Sequence, residues 1–225
     1  MSRTLAAHQP NYLPYLGFFH KASKADVFVL QDDLKYVKND YGNRNRISAE
    51  DSWRWLSIPV RADNGSTFHS VVPADPGWPR EHGNILRSKY VHAPHKERLT
   101  PYLEALTAGA SEPLSVINLA LIRRLIDELG ISVPIAIASE LDVGTFDNPN
   151  DRLIALCRMF ECDTYLSGTG GHAYIDEERW EASGIRLEWS DYEAVEYDRG
   201  DRPWIPNLSA LDALAFAEDP AALIR

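Results

Sequence analysis

Five stretches of the chain gather residue types that can bind charge or move protons. His8 and Gln9 open the turn His8-Gln9-Pro10-Asn11-Tyr12-Leu13-Pro14, directly after the short apolar run 4–7. An imidazole and an amide at a strand end suit acid–base work and substrate orientation, and two prolines stiffen the turn that presents them. The second stretch, Gln31-Asp32-Asp33, follows Val27-Phe28-Val29-Leu30. Carboxylates there can hold Mg²⁺, a sugar hydroxyl or an ammonium group, and strand alternation points one of the pair, Asp32, into a common site. The third is Asn43-Arg44-Asn45-Arg46, where two guanidinium forks suggest capture of phosphate or carboxylate by Asn43, Arg44 and Arg46. In the fourth, His82 and Tyr90 stand about two helical turns apart and can share a face for acid–base or substrate contacts. His92 and His95 lack cysteine or carboxylate partners at structural-zinc spacing, so no metal ligand is expected there.

The fifth stretch runs from Tyr165 to Asp176 and delivers Ser167, Gly168, Gly170, Gly171 and Tyr174 from a strand into a turn before a helix. Its backbone N–H groups can cradle an anion. It has neither the lysine of a P-loop nor G-x-G-x-x-G spacing, and Ser167 lacks the G-x-S-x-G setting of a hydrolase nucleophile. Cys157 and Cys162, five apart on one helix, do not converge and read as packing residues, as does His20.

These residues need a scaffold, and the hydrophobic pattern supplies one. Strands are expected at 4–7, Val27–Leu30, 53–60, 135–138, Thr164–Ser167 and 184–189. Helices are expected at 15–25, 79–90, 101–107, 113–129 and 148–160, with a C-terminal helix capped by Ser209. This alternation predicts an α/β fold: a Rossmann-like parallel sheet flanked by helices, with an irregular insertion around 40–110, in a single domain over 1–225.

Charge narrows the partners. The 225 residues carry a net −10, but from Lys35 to Arg61 the balance is +3, leaving −13 for the remainder. Duplex DNA and anionic membranes are poor partners for so acidic a body. A small anion beside the basic stretch is the better expectation. No apolar run reaches the roughly 18 residues of a membrane span, and the N-terminus lacks a signal core, so a cytoplasmic protein is expected.

Taken in order, HQPNYLPYLGFFHKA, the strand end D-x-F-V-L-x-D-D, NRNRI, W-x-x-x-H-x-x-I with K-Y-V-H-A-P, YLSGTGGHAYID and P-x-L-S-A-L-D-A-L resemble the WbqC-like family of bacterial proteins over about residues 5–216. That resemblance implies a place in O-antigen or other polysaccharide biosynthesis. It also implies a transferase passing an acyl or aminoacyl (glycine-type) group to the amino group of a sugar nucleotide or other small amine. Here His8 or Asp32 would orient and deprotonate the amine, Arg44 and Arg46 would hold a phosphate, and the Ser167–Gly171 amides would stabilise an oxyanion. No cofactor is expected, Mg²⁺ is left open, and an aminoacyl-tRNA donor is not excluded. Two alternatives stand beside it: a non-catalytic ligand-binding or partner subunit, and a Mg²⁺-dependent nucleotidylyltransferase-like enzyme. In the second, the turn at Tyr12 and Tyr15 resembles the H-x-G-H turn of nucleotidylyltransferase-like (HUP) folds.

Overall fold

A computed structural model describes residues 2–225. β1 (Thr4–His8) and β2 (Val27–Leu30) are joined by α1 (Leu16–Ser23) and pair in parallel, from Leu5 opposite Val27 to His8 opposite Leu30. All four residues of β2 are buried, as a β-branched and aromatic run covered on both faces requires. The chain between β2 and the next sheet strand is long. It carries β3 (Arg44–Ala49), β4 (Ser52–Ser57), β5 (Val60–Arg61), β6 (Val72–Pro73), α2 (Trp78–Lys89), α3 (Thr100–Ala108) and α4 (Leu114–Glu128). β7 (Ile135–Ile137) then joins the sheet, followed by α5 (Pro149–Met159), β8 (Thr164–Ser167), α6 (Glu177–Ser183), β9 (Arg186–Trp189) and α7 (Ala210–Phe216).

The sheet order is β7-β2-β1-β8-β9, parallel throughout. In chain order this is 3-2-1-4-5, the Rossmann arrangement, and it reverses between β1 and β8. Period-two alternation divides the core. Ala6, Phe28, Leu30 and Leu166 pack with α1 and α4 residues such as Phe18, Phe19, Leu121 and Leu125. Leu5, Ala7, Val27, Val29 and Tyr165 pack with Leu153, Cys157 and Trp180 of α5 and α6. Both cysteines are free and buried. The α/β expectation therefore holds, and the anticipated elements fall within a few residues of their places.

Two differences lie in the insertion. The run 53–60 is broken at Pro59, which has no N–H to continue a ladder, into β4 and β5. Arg44 and Arg46, expected to capture an anion from the irregular insertion, belong to β3, which pairs antiparallel with β4 so that Arg46 faces Trp55 and Ile47 faces Arg54. Ile47 and Leu56 turn into the core while the arginines and tryptophans turn outward. After β9 the chain returns across the molecule: Ser209 donates its N–H to the Arg46 carbonyl (2.9 Å), Ala210 to that of Pro14 (2.8 Å), and the Ser209 hydroxyl caps α7 as expected. Among the described residues no helix is long and apolar enough to cross a membrane.

Candidate active site

At the carboxyl ends of β1 and β8, where the strand order reverses, lies a cavity of about 610 Å³. This is the crevice in which open α/β sheets bind ligands, and its volume suits a small molecule. His8, Gln9, Ser167, Gly168, Gly170, Gly171 and Tyr174 all line it, so the first and fifth stretches meet, brought together by the parallel pairing of β1 with β8, Ala6 opposite Leu166.

The His8 Nδ1–H donates to the Gln9 carbonyl (2.9 Å), which leaves Nε2 as a lone-pair acceptor. Burial, then the positive charge of Lys21, pushes its pKa down to about 3, so the ring is neutral. Lys21 itself is 5% exposed and lines the same cavity. It donates one hydrogen to the Ala7 carbonyl (2.9 Å) and has no carboxylate at ion-pair distance among the described residues. Burial lowers its pKa to about 7, which makes it a proton acceptor or donor near neutrality. Sequence reasoning passed over Lys21. α1 is buried from Leu16 to Ala22, so its lysine is turned to the cavities rather than to the outer surface.

The opposite wall carries Arg152, also missed. Its Nε donates to Gln31 Oε1 (3.2 Å) and its Nη2 to both Asp33 oxygens (2.8 and 2.7 Å). Asp147 and Asp40 add negative charge to the lining. The glycine-rich segment winds into a 3₁₀ turn, Thr169–Ala173, whose first bond runs from Gly171 N–H to the Gly168 carbonyl (2.9 Å). The N–H groups of Thr169 and Gly170 precede that bond and have no acceptor within the turn. Gly171 is required by close approach: a Cβ there would lie 2.2 Å from Ser167 Oγ and 3.0 Å from the Trp189 ring.

The remaining predicted residues are not brought to this cavity. Asp32 accepts from the Ser139 N–H (2.9 Å) and hydroxyl (2.7 Å), beside a separate cavity of about 260 Å³. His82 is buried; its Nε2–H donates to the Ser57 carbonyl (3.0 Å), so its Nδ1 accepts from the Tyr12 hydroxyl (2.9 Å). Burial lowers the His82 pKa to about 4. Tyr12 is wholly buried in that bond, away from the phosphate-facing position that the H-x-G-H analogy gives it. Tyr90 is buried with its hydroxyl accepting from Ser48 N–H (3.3 Å). Asn43 bridges the Tyr36 hydroxyl and the Ile58 carbonyl (both 2.7 Å). Arg44 stacks 4.0 Å above the Trp55 ring and bonds the Asn39 carbonyl. Arg46 lies 5.4 Å from the Trp53 ring and donates to the Asn207 carbonyl (3.0 Å). Apart from Asp32, which lines that separate cavity, each of these side chains is engaged by protein partners rather than by an open cavity.

Among the described residues no group of three or more His, Cys, Asp or Glu side chains is placed to hold a metal ion.

Comparison with other proteins gives no activity. The uncharacterized protein Rv1507c of Mycobacterium tuberculosis (strain ATCC 25618 / H37Rv) is 29% identical over 218 residues, covering 94% of this chain and 93% of the relative. No solved structure matches the chain significantly. The WbqC-like protein family model matches residues 9–223, from the turn that floors the cavity to the last helical turn, and the chain belongs to that family.

Proposed function

We propose that the protein is a bacterial biosynthetic transferase that forms an amide between an acyl or aminoacyl donor and the amino group of a small acceptor, a sugar nucleotide or a comparable amine. One observation carries this reading: a buried lysine without a carboxylate partner stands beside a neutral histidine in the cavity at the sheet's switch point. The His8 Nε2 lone pair orients the acceptor amine. The amine nitrogen attacks the acyl carbon, the Lys21 ammonium gives a proton to the leaving group as the bond to the acyl carbon breaks, and the proton lost by the amine restores the ammonium. The Thr169 and Gly170 N–H groups support the developing oxyanion, and Arg152 with Gln31 contacts an acceptor phosphate. In this reading Lys21 and Arg152 take the roles that the sequence suggested for Asp32, Arg44 and Arg46. The pathway is that of a cytoplasmic polysaccharide precursor, as the family resemblance implies, with the donor a small activated acyl compound or an aminoacyl-tRNA.

The test incubates the protein with paired activated acyl donors and amino-sugar nucleotides and follows the products by mass spectrometry. The expected product is an acceptor heavier by the acyl group less one hydrogen. A second reading, a non-catalytic ligand-binding subunit, draws on His8, because an imidazole with so low a pKa accepts hydrogen bonds better than protons. Saturable binding without product across the panel would favour it. Pyrophosphate release from a nucleoside triphosphate would favour nucleotidylyl transfer.

A further inference from the structure

The main cavity has a neighbour. A second cavity of about 140 Å³ lies on the β9 side of the switch point, lined by Tyr15, Thr169, Ser190, Tyr192 and Asn207. His8, Lys21 and Gly168 line both cavities and so form the partition between them. The smaller one is built rather than incidental. The Tyr15 and Tyr192 rings stand 6.2 Å apart, edge to face, over Gly17, where a Cβ would come within 2.4 Å of one ring and 2.5 Å of the other. Only glycine admits that arrangement. No carboxylate lines the lobe, and Lys21 is its one cation. It also abuts the start of α1, whose N-cap residue Tyr15 makes no side-chain capping bond, so the helix end adds positive potential on the same side. Hydroxyl, amide and ammonium donors around a carboxylate-free space favour an anion no larger than a few heavy atoms.

We propose that this lobe is a subsite for a compact oxyanion group, a carboxylate or a phosphate, belonging to the donor, held between Lys21 and the Tyr15–Tyr192 pair while the acceptor occupies the larger cavity across the partition. The inference deepens the transferase reading by giving each reactant its own side of Lys21, and it makes the reaction proceed through a ternary complex.

The test is calorimetric and spectroscopic titration of the intact protein with acetate, glycine and inorganic phosphate as probes, which separates carboxylate from phosphate as the source of the anion. Saturable binding is expected, weakened at least tenfold in Lys21→Met and three- to tenfold in Tyr192→Phe, with Tyr174→Phe, on the larger cavity alone, unchanged. Should Lys21→Met not fold, Tyr192→Phe and Tyr15→Phe decide, since each removes one oxygen from a half-buried ring. Absence of saturable binding by all three probes overturns the inference, as does binding that Tyr174→Phe weakens and Tyr192→Phe does not. Anion binding in the lobe without acyl transfer would sink the transferase reading alone. Acyl transfer with no anion binding would sink the subsite alone.

Discussion

Arg199 and Lys21 are both withdrawn from solvent, yet their surroundings differ in kind. Arg199 sits in a closed polar knot: its Nε lies 3.0 Å from Asp212 Oδ2, its Nη2 donates to Asp212 Oδ1 (3.1 Å) and Ser48 Oγ (2.7 Å), and it also bonds the Pro203 carbonyl. Tyr197 donates to the same carboxylate at 2.8 Å. Neither side chain of the ion pair has any exposure. Lys21 has a single carbonyl and lines two cavities. A buried charge held by its counter-charge pins the chain; a buried charge without one and open to a cavity is free to act on whatever enters. The knot ties the segment after β9 and helix α7 to β3, while the switch point stays chemically unfinished.

Breaking the knot should have the largest effect. Asp212→Ala leaves the Arg199 guanidinium buried without its counter-charge, and a loss of about 3–5 kcal/mol in urea unfolding is expected. A loss under 1 kcal/mol would mean that water reaches Arg199 and that the two cations are alike. Lys21→Met should do the reverse. Acyl transfer falls at least a hundredfold, while stability at pH 7 holds or rises, because a burial penalty goes with the charge. Retained turnover would remove Lys21 from the chemistry.

The comparison sharpens with pH. Lys21 is lowered from 10.5 to about 7, so between those values the unfolded chain binds the extra proton and stability rises with pH across that window. The stability advantage of Lys21→Met over the parent is therefore expected to be greatest at pH 7 and below and to shrink towards pH 10. His8 and His82, lowered from 6.5 to about 3 and about 4, act in the same sense at lower pH. Their contribution is intact above pH 6.5 and is lost as pH falls through 6.5 towards 4. Imidazole carbon resonances of both should stay at their neutral shifts from pH 8 to 5.5; a midpoint near 6.5 for either would show a solvated ring.

The smallest effects are expected on the β3–β4 hairpin. Arg44→Ala and Arg46→Ala each forfeit an arginine–tryptophan contact worth about 0.5–1 kcal/mol. Ligand affinity should remain within twofold, measured by the same titrations. A tenfold loss would return the hairpin to the site.

How far the sequence could be read follows from which signals are local. The βαβ start, the α4 stripe and the Ser209 cap are period and capping signals, and each appeared where expected. His8, Gln9 and the glycine turn line one cavity, and they stood out in the sequence because strand ends carry their own markers, a proline-stiffened turn and a Gly-Gly pair. The surroundings of Arg44 and Arg46 were not legible, because arginine chemistry is the same on a solvated loop and on a strand stacked against Trp53 and Trp55; the pairing that decides it is set by β4. Asp32 and Asp33 were judged by alternation alone. Their partners, Ser139 and Arg152, lie more than a hundred residues away and carry no local mark. Lys21 was not legible, because its helix carries His20 and Ser23 beside it and a lone lysine is ordinarily a solvated one; only the packing around α1 buries it.

The most direct test is the titration of Lys21 itself in protein labelled at lysine Cε, assigned by its absence from Lys21→Met. One lysine resonance with a midpoint near 7, moving upward when phosphate or acetate is added, is the predicted result. A Lys21 midpoint near 10.5, unmoved by either anion, would contradict the account.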